Sequence, residues 1–80
     1  MISKILDYYK SSNYDFRQFA FEADPLKNRF NEWVDYYRMK WAISKAIEAK
    51  TILEIGVRYG YSAHAFLSGS PQARYIGVDA

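Results

Sequence analysis

Thr51-Ile52-Leu53-Glu54-Ile55-Gly56-Val57-Arg58-Tyr59-Gly60-Tyr61-Ser62 is the stretch on which the reading of this chain turns. Thr51 to Ile55 is a run of β-favouring and apolar residues, interrupted only by Glu54, and it reads as a buried parallel strand. Gly56 breaks the run, Gly60 follows, and Ser62 stands where a helix starts. Beyond it come a short helical run from Ala63 to Ser68, the breaker Gly69-Ser70-Pro71, and a second strand, Arg74 to Val78, ending in Asp79. Residues 51–80 therefore spell one β-α-β unit of about 30 residues, the size of a nucleotide-binding half-motif.

Such a unit constrains its ligand. The crossover places the first turn at the carboxyl end of the sheet, where glycines let the backbone approach a ligand. The next helix directs unpaired N–H groups to the ligand's negative end. Asp79, at about the 20-residue separation from Gly56 that ribose recognition uses, sits where it accepts hydrogen bonds from ribose hydroxyls. Gly56 is expected where a side chain would collide with the ligand or with the turn's own backbone. The dinucleotide fingerprint Gly-x-Gly-x-x-Gly is not met, because Arg58 occupies its second glycine position. No Gly-Lys-Ser/Thr follows, so a phosphate-binding loop is excluded.

Leu53-Glu54-Ile55-Gly56-Val57-Arg58-Tyr59-Gly60-Tyr61-Ser62-Ala63 resembles the first motif of class I S-adenosylmethionine-dependent methyltransferases. The form Glu-x-Gly-x-x-x-Gly-Tyr-Ser is most similar to the small-molecule O-methyltransferase branch, and Tyr75 to Ala80 resembles that family's second-strand motif. The resemblance implies an α/β, Rossmann-like fold of which this chain holds helices and the first β-α-β unit, and S-adenosyl-L-methionine as cofactor. It implies that Glu54 reaches the methionine ammonium, that Gly56 and Gly60 line the turn, and that Ser62 helps hold the methionine carboxylate. Asp79 would take the ribose hydroxyls and Ala80 would lie at the adenine edge. In that architecture the helix before strand one passes near the cofactor, so Arg38 is a candidate partner for a carboxylate; the alternative is a solvated arginine on an exposed helix face. The partner would be a small-molecule methyl acceptor. The acceptor atom, the general base and any metal belong to later parts of that fold, so no catalytic residue is assigned. Because the family's sheet has seven strands, this chain is expected to be the front of a longer protein and to be inactive alone.

Composition sets the outer bounds. Eighty residues allow one small domain. Half of them are apolar and a quarter charged, as in a folded protein. The net charge of +2 and the interleaving of Lys27, Arg29, Glu32, Asp35, Arg38 and Lys40 argue against nucleic acid. No cysteine is present, which fits a reducing compartment. No run is apolar enough to span a membrane and Met1 opens no signal pattern. The expected location is the cytoplasm.

Residues 1–50 read as a helical lead-in. Ser3 is expected to cap a helix that frays at Ser11-Ser12-Asn13, and Asp15 to cap a second one running through Phe19 and Phe21. Asp24-Pro25 opens a third, with apolar residues at Leu26, Phe30, Trp33, Val34, Tyr37, Trp41 and Ile47 and a break expected within Tyr36 to Met39. It should end near Ala49-Lys50. Eight Tyr, five Phe and two Trp stand out, most of them before residue 42; the stripe from Phe30 to Trp41, at helical spacing, reads mostly as core or lid packing rather than as a base-stacking platform. His64 has no partner at metal-ligand spacing and reads as a half-buried helix residue. With two strands only, one sheet face is left poorly covered and an edge open, so the sheet edge or the aromatic helices are expected to support homo-oligomers. Two other functions compete: the start of a nicotinamide-dependent oxidoreductase, against which Arg58 argues, and a non-catalytic interaction module.

Overall fold

The computed structural model describes residues 1–79; Ala80, assigned above to the adenine edge, lies outside them. Three α-helices and a two-stranded parallel sheet follow in the order α1 (Ile2–Ser11), α2 (Val34–Ile47), β1 (Thr51–Ile55), α3 (Tyr61–Gly69) and β2 (Arg74–Val78). The expected strands and crossover are present. Pairing runs in register from Thr51 opposite Arg74 to Ile55 opposite Val78.

The lead-in differs from expectation at its boundaries. Helix α1 begins one residue before Ser3, because the Met1 carbonyl already accepts from the Ile5 N–H at 3.1 Å. It stops at Ser11, whose hydroxyl bonds back to the Asp7 carbonyl at 3.0 Å. Asp15 does cap, accepting from the Arg17 N–H at 3.0 Å, but only a 3₁₀ turn, Phe16–Gln18, follows it. Asp24 accepts from the Leu26 N–H at 2.9 Å, yet the segment after Pro25 is a 3₁₀ helix, Lys27–Trp33, before α2 begins. The break thus falls at Trp33–Val34, upstream of the expected one. Three residues per turn stack positions i and i+3, which lets Trp33 pack on Phe30, their rings 6.1 Å apart, while Phe30 enters the core. Helix α2 ends at Ile47, where Glu48 turns left-handed at φ 51° and Ala49 donates to the Ser44 carbonyl.

The core lies among the helices and the lead-in. Tyr14, Phe16, Phe30, Tyr61 and Ala65 are buried together, with Trp33, Tyr37 and Trp41 against them. Phe16 is the hub, with ring separations of 4.5 Å to Tyr37, 5.2 Å to Phe30 and 5.4 Å to Tyr61. Phe30, Trp33, Tyr37 and Trp41 of the aromatic stripe pack in or against this core, as their spacing indicates, whereas Tyr36 is exposed. Small residues let α2 and α3 approach closely: Ala42, Ala46 and Ala65 are buried, and Gly69 faces the Trp41 carbonyl. Two hydroxyls clasp the pair, Ser44 Oγ donating to the Phe66 carbonyl at 2.6 Å and Ser70 Oγ to the Ser44 carbonyl at 2.7 Å.

The sheet contributes nothing to that core. In-register residues share a face, so Ile52, Glu54 and Tyr75 lie on one side and Leu53, Ile55, Ile76 and Val78 on the other. On the second side Leu53 is 65% and Ile55 77% exposed. One poorly covered face was expected for a two-stranded parallel sheet, and this is it.

Candidate functional site

The turn after β1 is built from three left-handed residues: Gly56 at φ 84°, Arg58 at φ 53° and Gly60 at φ 83°. Gly56 is required for this conformation rather than for space. A Cβ built there meets no protein atom within 4 Å, so the expected collision with the turn's own backbone does not occur. Arg58 adopts the left-handed region despite its side chain, which explains how the turn forms without a middle glycine. Gly60 is the N-cap of α3, and its carbonyl accepts from the His64 N–H at 2.9 Å.

Asp79 closes this turn from the end of β2. Its Oδ1 accepts from the Val57 N–H at 2.6 Å and the Arg58 N–H at 3.3 Å. The carboxylate therefore organises the loop itself and is not among the residues that line the adjoining cavity.

That cavity, about 970 Å³, opens between the turn, the 3₁₀ segment and α2. It is of a size that takes a small-molecule ligand. Glu54, Gly56 and Ser62 line it, together with Trp33, Tyr36, Tyr37 and Lys40. Glu54 Oε1 accepts from the Tyr75 hydroxyl at 2.7 Å, which leaves the second oxygen to accept from a ligand. Burial, and then the adjacent Glu54 carboxylate, push the Tyr75 phenol up to about 12, so it is a fixed donor at neutral pH. Burial likewise raises Tyr37. Ser62 Oγ accepts from Lys40 Nζ at 2.6 Å.

Of the residues singled out in the sequence, the fold brings Glu54, Gly56 and Ser62 to one cavity. Gly60 lies at a second, smaller cavity with Tyr14, Phe19 and His64. Arg38 lines neither; its Nε donates to the Tyr14 carbonyl at 2.9 Å and so ties α2 to the lead-in. Among the described residues no group of three or more His, Asp or Glu is placed to hold a metal ion, and no helix is long and apolar enough to cross a membrane.

Sequence reasoning missed Lys40, Tyr75 and the pair Asp24–Tyr61. Lys40 falls three and four residues after Tyr37 and Tyr36 on one helix face, a spacing that was visible. Tyr75 shares the Glu54 face only once the register is known. Asp24 is buried, and its Oδ2 accepts from the Tyr61 hydroxyl at 2.9 Å while that hydroxyl accepts from the Phe21 N–H at 3.1 Å. This link sets the first residue of α3, and with it the turn, against the aromatic lead-in. Comparison with protein-family models, with curated proteins and with solved structures yields no match to this chain.

Proposed function

We propose that this chain forms the donor-binding front of a small-molecule methyltransferase of the O-methyltransferase type, with S-adenosyl-L-methionine as cofactor and a cytoplasmic location. The observation that carries the reading is the convergence of the Glu54 carboxylate, the left-handed Gly56 turn and Ser62 on one cavity beside the start of α3. The donor set suits the methionine end of that cofactor. Glu54 holds one oxygen for an ammonium, and Ser62 stands in the first turn of α3, whose early N–H groups face a carboxylate. When bound, the cofactor supplies an electrophilic methyl group on a sulfonium. The residues of this chain orient it: Glu54, steadied by Tyr75, fixes the amino end; the turn, held by Asp79, sets the backbone that flanks it; and Trp33, Tyr36 and Tyr37 supply the aromatic wall from the 3₁₀ segment and α2. A methyl acceptor and the group that takes its proton would come from outside this unit. Calorimetric titration with S-adenosylhomocysteine and with NAD tests the reading. Saturable binding of the first and none of the second is expected; the reverse sinks it, as does a Gly56→Val variant that binds S-adenosylhomocysteine normally.

A second reading, an interaction module, is favoured by one observation: the apolar row of Leu53, Ile55, Ile76 and Val78 on the uncovered sheet face. A protein that stays monomeric at high concentration and binds S-adenosylhomocysteine would remove it.

A further inference from the structure

The second cavity, about 150 Å³, shares Tyr59 and Tyr61 with the large one and is otherwise lined by the lead-in, Gly60 and His64. Six of its eight lining residues carry benzenoid rings: Tyr14, Phe16, Phe19, Phe21, Tyr59 and Tyr61. Phe16 and Tyr61 are buried, whereas Phe19, Phe21 and Tyr59 are each about half exposed, so the wall runs from the core out to solvent. The exposed rings are held beside the buried ones. Phe21 stands 5.7 Å from Tyr59 between ring centres, Tyr59 5.8 Å from Tyr61, and Tyr14 6.2 Å from Phe19. Among the described residues no Asp, Glu, Lys or Arg lines this cavity. The adjoining cations are directed elsewhere: Arg17 pairs with Asp15 and bonds Asn31, Arg38 donates to the Tyr14 carbonyl, and Arg58 lines the large cavity. His64 stacks on Phe19 at 4.1 Å and is hydrogen-bonded through Nδ1 to the Tyr14 and Ser68 hydroxyls. Burial lowers its pKa, so it adds no positive charge at neutral pH.

Ring faces carry negative potential, so several of them around one void attract a cation. Tyr61 strengthens the effect, because its hydroxyl donates to the Asp24 carboxylate and that bond polarises the ring. A primary ammonium would bring N–H donors into a wall that has no carboxylate to accept them. A quaternary ammonium has no N–H and presents only methyl groups to the rings. The volume also fits, since an apolar cavity of this size holds one benzene, and a trimethylammonium group is of comparable bulk. The large cavity differs in kind: Lys40 and Arg58 line it together with Asp24, Glu32 and Glu54. We propose that the small cavity is an aromatic cage for the trimethylammonium head of a small-molecule cation, of which choline is the simplest. The inference goes beyond the cofactor reading and does not rest on it, because Phe19 and Phe21 line the small cavity and not the large one.

The test titrates the protein with tetramethylammonium, with choline, and with the carbon isostere of choline in which a tert-butyl group replaces trimethylammonium. Amide signals followed by nuclear magnetic resonance report both affinity and place. The two cations should saturate at millimolar concentration and shift the Gly60 and His64 amides more than those of Tyr36 and Lys40, which belong to the large cavity. The isostere has the same shape without the charge, and should bind about five-fold more weakly or worse. Replacing both Phe19→Leu and Phe21→Leu keeps apolar bulk and removes two ring faces, so choline affinity should fall by a similar factor. If that double variant loses the dispersed amide spectrum of the wild type, the wild-type comparison of choline with its isostere decides alone. Four results overturn the cage: equal affinity for choline and the isostere, choline binding undiminished in a folded double variant, shifts centred on Tyr36 and Lys40, or no saturation by either cation.

Discussion

Gly69→Ala is the substitution whose outcome the helix pairing decides most sharply. On helix propensity alone, alanine at the last position of α3 gains up to about 1 kcal/mol. The surroundings reverse the sign. A Cβ at residue 69 would overlap the Trp41 carbonyl oxygen, and it would lie 3.1 Å from the Lys45 nitrogen and 3.2 Å from Ser44 Cβ. Two of those three atoms are backbone of α2, so no side-chain rotation relieves them. The helices must move apart, at about 1–3 kcal/mol for overpacking. Separation also stretches the Ser44–Phe66 and Ser70–Ser44 hydrogen bonds, each worth about 1 kcal/mol. The net expectation is a loss of about 2 kcal/mol or more, which for a domain this small lowers the melting temperature by roughly 10 °C. Urea denaturation followed by circular dichroism reads it directly. A Gly69→Ala protein as stable as the wild type would show that α2 and α3 do not approach as described, and the cavity wall that α2 supplies would lose its basis.

Three further outcomes follow from the same geometry. Asp79→Ala removes the acceptor for the Val57 and Arg58 amides, whereas Asp79→Asn retains a carbonyl for them; proton exchange at those amides should accelerate in the first and stay slow in the second, and equal behaviour would mean the carboxylate does not hold the turn. His64 Nδ1 and the Tyr14 hydroxyl are hydrogen-bonded at 2.7 Å, and burial lowers the His64 pKa below the ordinary value near 6.5. The folded state thus favours the neutral ring: its contribution is present above the unfolded pKa and is lost as pH falls through the lowered folded value, so the denaturation midpoint should drop between pH 7.5 and pH 5 more in the wild type than in His64→Gln. Finally, Leu53→Lys together with Ile76→Lys should reduce self-association in light scattering, because both residues lie on the uncovered sheet face; undiminished association would place the contact on the aromatic helices instead.

Local signals in the chain carry the strands, the crossover and the turn. β-branched and apolar runs bounded by glycine and by Ser70-Pro71 act through backbone preferences within a few residues, and the structure follows them in both strands, while α3 takes in Tyr61, Ser62 and Gly69 beyond the Ala63 to Ser68 run. Caps at Asp15 and Asp24 were legible for the same reason. What followed each cap was not: whether Lys27 to Trp33 winds with three or 3.6 residues per turn depends on where Phe30 and Trp33 find their partners, and those partners lie outside the segment. The site shows the same division. Glu54 and Gly56 announce themselves by breaking an apolar run, yet the hydroxyl that steadies Glu54 lies 21 residues away, and the one that anchors Asp24 lies 37 residues away. Arg38 and Lys40 are two residues apart on one helix, and composition ranks them as equals. Successive helix positions turn by about 100°, so two residues are enough to send Arg38 to the Tyr14 carbonyl and Lys40 to Ser62 at the cavity. Only the docking of α2 against α3 decides which of the two cations reaches the cavity.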